Sequence, residues 1–388
     1  MMEKIIDKNK CCGCHACMNI CPKNAITMKD DEKGFKYPVI DQKKCIDCGM
    51  CKKSCPVLNN KENEHMVEAY ACYNTNLDER LNSSSGGIFV LLAKQIIKRN
   101  GVVFGASFDK NFNVIHSFVK NEKDLYKFMG SKYTQSNIGD TYKKVKDFLE
   151  QDKYVLFTGT PCQIEGLKSY LKKDYKKLYT QDIICHGVPS PKVWQKYLDY
   201  QKSVKGEKIK SISFRNKDSG WSLFRMKISF ATKVYSEKNS KDLFMRTFLS
   251  NICLRDSCYN CSFKKKYRIS DITLADYWGI NSIHPEFNDD KGVSLLIVNS
   301  DKGRKLFDNI KGSIKYIKTD FDKAIDINIA MTKSVNHCKN EKEFIENIDK
   351  IDFNKLVNKY VPKMPIYRRV LGKIKRIVKK IIKSNKNT

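Results

Sequence analysis

Apolar residues fall along this chain in two alternating rhythms. Short runs, "EAYACYN" (68–74), "GVVFGASF" (101–108), "NVIHSFVK" (113–120), "KYVLFTG" (153–159) and "YTQDIICHG" (179–187), have strand length and are punctuated by Gly, Asn and Asp. Between them, "IFVLLAKQIIKRNG", residues 140–151, "IEGLKSYLKK" and residues 191–202 carry apolar positions at helical spacing, the first closed by Gly101. The strands at 101–108 and 113–120 are close enough to pair as a hairpin. A β-type stretch follows at 209–230 with a turn near Asp218–Gly220, then strands within "SDITLADYWG" (270–279) and "GVSLLIVNS" (292–300). Strands alternating with helices predict a larger mixed α/β domain, so that the chain as a whole is of α+β or α/β class.

The first 60 residues differ. "ITMKDDEKGFKYPVI" (26–40) predicts a short hairpin turning at Asp31–Gly34, and a polar stretch, "NNKENEH", separates this part from the rest. The expected division is 1–60, a linker at 61–66, a main domain at 67–355 and a tail at 356–388. In the tail, Val370, Leu371, Ile374, Ile377, Val378, Ile381 and Ile382 recur at helical spacing among Lys and Arg with no acid. Such a helix docks on a membrane surface or a partner, or folds back on its own core.

Charge adds little. The formal net charge is +30, from 73 basic against 43 acidic residues, and most of the basic ones are Lys scattered among Asn and Ile. No helix-turn-helix, RNA-recognition or zinc-finger pattern accompanies them, so specific nucleic-acid binding is not expected. A basic surface can still steer acidic partners. Met1–Lys10 is charged and has no apolar core segment, and no window approaches the roughly 20 apolar residues that span a bilayer. A cytoplasmic location is expected, peripheral to the inner membrane face if the tail binds lipid.

Cysteines change the picture. Of 16, eight stand as Cys11, Cys14, Cys17, Cys21-Pro22 and Cys45, Cys48, Cys51, Cys55-Pro56. Each half reads Cys-x-x-Cys-x-x-Cys-x-x-x-Cys-Pro, the bacterial ferredoxin run in which the fourth Cys ligates the other half's cluster. Cys11, Cys14, Cys17 and Cys55 are therefore assigned to one 4Fe–4S cluster, and Cys45, Cys48, Cys51 and Cys21 to a second. Zinc sites favour paired Cys-x-x-Cys spacing instead. Cys12 is read as a passenger. Cys253, Cys258 and Cys261 have the three-ligand spacing of plant-type ferredoxins, with Cys162 or Cys185 to complete a third cluster. A zinc site or reduced structural thiols are the alternatives.

Turns supply the remaining candidates. Ser83–Gly87 opens a helix, where free N–H groups and the helix dipole suit an anion, although a plain cap explains the same residues. Ser131–Ser136 is a polar loop of small residues. Gly159-Thr160-Pro161-Cys162-Gln163 turns from strand to helix, a cofactor-binding geometry in open α/β sheets, but without GxGxxG or GxxxxGK[ST].

Taken together, "SSSGGIF", "SKYTQS", "FTGTPCQIEGLK", "DIICHGVPSP", "FRNKDSGW" and "CYNCSF…SDITLADYWG" resemble the beta-subunit family of coenzyme F420 hydrogenases and dehydrogenases, in order, from about Glu68 to Ser300. That family includes plant hydroxymethyl-chlorophyll reductases and bacterial members beside polysaccharide genes, and fused ferredoxin modules are a common variant. The resemblance implies an α/β flavoprotein oxidoreductase carrying FAD and a 4Fe–4S cluster, exchanging hydride with a deazaflavin or another organic acceptor. It implies cofactor contacts at Ser84, Ser85, Gly86 and Gly87, at Ser131, Lys132, Tyr133, Gln135 and Ser136, and at Gly159, Thr160, Pro161 and Gln163. It places Cys162 beside flavin and cluster, and Cys253, Cys258 and Cys261 on the cluster. His186 and Asp276 are candidate proton carriers; no catalytic residue is assigned. The alternative is an electron-transfer subunit without its own substrate, docking on a partner enzyme, at a membrane-associated polysaccharide pathway if the tail binds lipid.

Overall fold

The computed structural model describes residues 4–60 and 64–362. The tail helix expected from Ile366 onward lies outside these residues. Among the described residues no helix is long and apolar enough to cross a membrane.

The first unit holds one antiparallel hairpin, β1 (Ile26–Asp30) and β2 (Lys36–Ile40), in register Ile26↔Ile40. Asp31 closes the turn, its Oδ1 accepting the backbone N–H groups of Lys33 and Phe35. Two short helices, Ala16–Ile20 and Met50–Lys53, each enter through a left-handed residue, His15 and Gly49.

The larger unit is built on an eight-stranded sheet of order β13-β3-β12-β11-β7-β6-β4-β5. Its strands are β3 (Glu68–Asn74), β4 (Val102–Phe108), β5 (Val114–Val119), β6 (Val155–Gly159), β7 (Leu178–Ile183), β11 (Ile272–Asp276), β12 (Ser294–Val298) and β13 (Ile314–Thr319). The central four, β4, β6, β7 and β11, run parallel, and antiparallel strands close both sides. Buried on both faces, β6 and β12 read as continuous apolar runs, as helix-covered sheets require. Between β7 and β11 the chain makes a separate antiparallel sheet, β8 (Ser211–Asn216), β9 (Arg225–Ser229) and β10 (Val234–Lys238). Its apolar face packs on helix Pro191–Lys205 around Trp194, Tyr197 and Phe244.

Helix Phe353–Tyr360 belongs to this same core through Phe353, Leu356 and Val357. A division after Lys355 therefore cuts through a packed helix, because the periodicity of 353–361 is that of a core helix and not of the tail.

Asp271 ties β7 to β11: its carboxylate accepts from Thr180 N at 2.7 Å, Thr180 Oγ1 at 2.8 Å and Ser300 Oγ at 2.6 Å. Helix Asp301–Ile310 presses Gly303 onto that same residue, where an added Cβ would stand 2.0 Å from the Asp271 carbonyl oxygen. Alanine gains about 1 kcal/mol of helix propensity there. Forcing backbone apart costs about 1–3 kcal/mol or more. Gly303→Ala should lower the melting temperature by several degrees in thermal unfolding followed by circular dichroism; an unchanged value would show that the helix shifts freely.

Candidate functional site

The ferredoxin-type cysteines gather around two cavities. Cys11, Cys14, Cys17 and Cys55 line one of about 350 Å³. Cys21, Cys45, Cys48 and Cys51 line another of about 380 Å³. Each Cys run contributes to both, so the fourth Cys of either half reaches across: Cys21, just past the helix Ala16–Ile20, lines the second cavity, and Cys55 returns to the first. Exposure falls inward, from Cys48 at the surface to Cys14 and Cys55 in the interior. None of the 16 cysteines is in a disulfide.

A third cavity of about 540 Å³ lies where the first unit meets the larger one, and Cys162, Cys185, Cys258 and Cys261 line it. The structure here departs from the plant-type reading. Cys253 is fully buried elsewhere, among Trp194, Phe248 and Leu254, and its carbonyl accepts Ser190 N at 2.8 Å. The strand-like pairing of Pro189 with Leu254 turns Cys253 inward, and Cys258 Sγ accepts Val188 N at 3.5 Å beside Cys185. Cys162 and Cys185 are thus both present, and Cys253 is absent.

The donor sets fit clusters better than single ions. Among the described residues, no three His, Cys, Asp or Glu converge closely enough to hold one metal ion. Zn–S bonds of about 2.3 Å would demand that convergence, whereas a cube of four irons spreads its thiolates. Burial pushes the Cys185 thiol up to about 11, and Cys258 higher, so binding metal must displace protons. Cations line the third cavity: Lys10, Arg255, Lys264 and Arg268. Lys264 donates to the Cys185 and Ala330 carbonyls.

Next to it opens a cavity of about 1330 Å³ across the C-terminal ends of β6, β7 and β11, where open α/β sheets bind ligands. The three loops singled out in the sequence converge here: Ser84, Ser85 and Gly87; Ser131, Lys132, Tyr133 and Ser136; Gly159, Thr160 and Gln163. Ser84 Oγ accepts Ser131 N at 2.6 Å, joining the first two. Thr160 and Val188 line both this cavity and the third thiol cavity, and Thr160 Oγ1 lies 3.1 Å from Cys162 Sγ.

Three expected contacts fall elsewhere. Gly86 packs under the turn: a Cβ there would meet the Cys72 carbonyl at 2.6 Å. Gln135 turns away, its Nε2 donating to the Cys12 carbonyl at 2.9 Å. Pro161 faces the thiol cavity. Alternating side-chain directions in an irregular loop give no sequence signal of this.

Lys132 is the cation of the large cavity. Its Nζ donates to the carbonyls of Met129 and Gly130, at 3.3 and 3.2 Å, and stands 5.6 Å from the centre of the Phe108 ring; burial lowers its pKa to about 7. The sequence reading missed His116, on the inward face of β5. Its Nε2 donates to the Thr158 carbonyl at 2.8 Å, so Nδ1 accepts from Ser136 Oγ at 2.8 Å, and Ser136 Oγ accepts from Gln163 Nε2 at 2.8 Å. Burial brings the imidazole down to about 4, so it is neutral at pH 7. Lys217 was missed too; its Nζ holds the carbonyls of Ser85, Arg80 and Lys291, bracing the first loop.

Of the two candidate proton carriers, Asp276 lines the large cavity but is held by Arg215 at 2.5 and 3.1 Å and by Trp221 Nε1 at 2.8 Å. Carrying a proton would break that pair. His186 lines the thiol cavity instead, its Nε2 donating to Asn251 Oδ1 at 2.7 Å.

Residues 152–323 match the family described as the C terminus of the coenzyme F420 hydrogenase/dehydrogenase beta subunit, and residues 10–59 match the 4Fe–4S dicluster domain. A curated relative, the coenzyme F420-dependent sulfite reductase of Methanocaldococcus jannaschii, is 26% identical over 190 residues, 48% of this chain and 29% of that protein. This chain thus aligns with less than a third of that relative's length. The F420-reducing NiFe hydrogenase complex from Methanosarcina barkeri contains a chain matched with a TM-score of 0.45 and 15% identity, over 68% of this chain and 89% of that one. Two separate parts of the chain are thus similar to known families, residues 10–59 to the 4Fe–4S dicluster domain and residues 152–323 to the C terminus of the coenzyme F420 hydrogenase/dehydrogenase beta subunit.

Proposed function

We propose that the protein is an iron–sulfur flavoprotein oxidoreductase that passes electrons between its ferredoxin clusters and FAD, for hydride exchange with a deazaflavin or another organic acceptor. One observation carries the reading: four cavities follow one another, and the inner three share walls. Cys12 lines both the inner ferredoxin cavity and the third thiol cavity; Thr160 and Val188 line both the third cavity and the large one. In this reading Cys12 is not a passenger but part of a partition. The two ferredoxin cavities lie on either side of one small core holding Cys17, Cys21, Cys51 and Cys55.

When bound, a flavin supplies the exchange between single electrons and an electron pair. The chain's own residues bind and orient it. Ser84, Ser85 and Gly87 would face its phosphates, with Lys132 as the positive charge; Gln163, Ser136 and His116 form a neutral, satisfied wall that neither gives nor takes a proton. Cys162, Cys185, Cys258 and Cys261 would hold a third 4Fe–4S cluster.

A protein redox partner is the second reading, and the exposure of Cys48 and of Ile46, 58% accessible, at the outer cavity favours it. Anaerobic iron and flavin quantitation on reconstituted chain tests the first reading. About twelve irons with one FAD support it. Eight irons without flavin would leave only a ferredoxin joined to a domain of other purpose. Turnover of a deazaflavin only after a partner is added would favour the second.

A further inference from the structure

Among the described residues Arg255 is the most deeply buried cation, 1% exposed, and it sits where the two units meet. Its guanidinium reaches back from the larger unit into the first. Nε donates to the Cys11 carbonyl at 2.7 Å, NH1 to Gln135 Oε1 at 2.9 Å, and NH2 to the Lys36 carbonyl at 3.1 Å and to Cys11 Sγ at 3.7 Å. The rings of Phe35 and Tyr37 face it at 5.3 and 4.1 Å. Gly13 is left-handed (φ +65°) beneath it, and a Cβ there would touch the guanidinium at 2.8 Å. The same side chain lines the third thiol cavity.

Every one of these partners is neutral. Among the described residues no carboxylate pairs with Arg255, although its neighbour Asp256 is engaged at 2.7 Å by Lys33 of the first unit. Burying a charge without a counter-charge is strongly unfavourable, and ring faces offset only part of that. A fold that keeps such a cation has an anion to set against it. The groups within reach are Cys11 on one side and the cavity of Cys162, Cys185, Cys258 and Cys261 on the other. Thiolate-ligated clusters are anionic, and reduction makes them more so.

We propose that Arg255 is the shared counter-cation of the cluster held by Cys11 and of the third cluster, raising the potential of both and tightening the junction of the two units when they are loaded. This rests on the three-cluster reading above. Arg255 is a positioning residue in that scheme: it stabilises the added electron on either side of the junction, and leaves the outer cluster of Cys45, Cys48 and Cys51 alone.

The test is an EPR-monitored redox titration of the full, reconstituted chain. Iron content is measured first; a wild-type chain without the third cluster overturns the three-cluster reading and not the role of Arg255 at Cys11. Arg255→Gln should lower two of three midpoints by at least a tenfold change in reduced fraction at fixed ambient potential, which is about 59 mV for one electron. The outer cluster should not move, and Arg255→Lys should restore much of the shift. Normal iron with three unmoved midpoints would overturn the proposal, since a purely structural staple would leave potentials alone. If Arg255→Gln fails to load, hydrogen exchange on the wild type decides. Residues 33–38 and 253–258 should gain protection on reconstitution, and equal protection in apo and loaded protein would overturn it.

Discussion

Replacing Cys258 and Cys261 together by Ser should remove about four of about twelve irons from the reconstituted chain, while Cys253→Ser should remove none. Spacing alone treats the three cysteines as equals. In the fold only Cys258 and Cys261 face the cavity that Cys162 and Cys185 also line, and Cys253 is enclosed by aromatic and aliphatic side chains. A hydroxyl placed there without a partner costs about 1–3 kcal/mol, so Cys253→Ser is expected to melt lower yet keep its iron. Iron assay and thermal unfolding on both variants separate the two effects. Four irons lost from the Cys253 variant as well as from the pair would restore the plant-type assignment.

The second large effect is expected at Lys132. Its replacement by Met removes the sole cation contributed by the three loops at the large cavity while keeping its length and apolar stem. A hydrogen bond to a charged group is worth about 1.5–3 kcal/mol, and every 1.4 kcal/mol is about tenfold in affinity. Flavin should therefore bind roughly ten- to a hundredfold more weakly, read by fluorescence titration. The pH dependence carries its own sign. Burial lowers the Lys132 pKa to about 7, so the free site is charged below that and loses charge above it. An anionic ligand favours the charged form; affinity should hold at pH 6 and fall as pH rises toward 9. Lys132→Met should flatten that profile as well as lower it. A variant that binds flavin as tightly as the wild type, with the same pH slope, would place the phosphates elsewhere.

Much of the scaffold was readable because its signals are local. The run at 153–159 is a strand because β-branched and aromatic residues crowd it, the run at 68–74 sets two tyrosines among small apolar residues, and the Cys-Pro repeats fix where the chain must bend around a cluster. The edge strand Ile314–Thr319 was missed: its sequence "IKYIKT" alternates weakly and keeps Lys on the open side, as exposed edges do. The strand Val234–Lys238 was missed for the same reason.

The candidate site was legible as motifs and not as a place. Three loops separated by dozens of residues, following β3, β5 and β6 in the chain, meet over one cavity of the folded sheet, which no single loop announces. Gly86 and Gln135 look like their neighbours in sequence, and only packing shows that one holds the turn against β3 while the other reaches the first unit. Arg255 is lost in a chain full of lysine. Nothing nearby marks it as buried, because its burial is made by residues more than 200 positions away.

The first unit is not tethered to the larger one but woven into it. Lys33 bonds to Asp256 and Glu341, Asn60 to the Ser262 carbonyl, Asn19 to the Gly139 carbonyl and Gln135 to Cys12. A ferredoxin on a swinging arm would have to break all of these at every turnover. Domain rocking of that kind runs on microseconds to milliseconds and slows in thick solvent. Here electrons would cross fixed gaps through a rigid body, and glycerol added to the buffer should leave the internal transfer rate untouched.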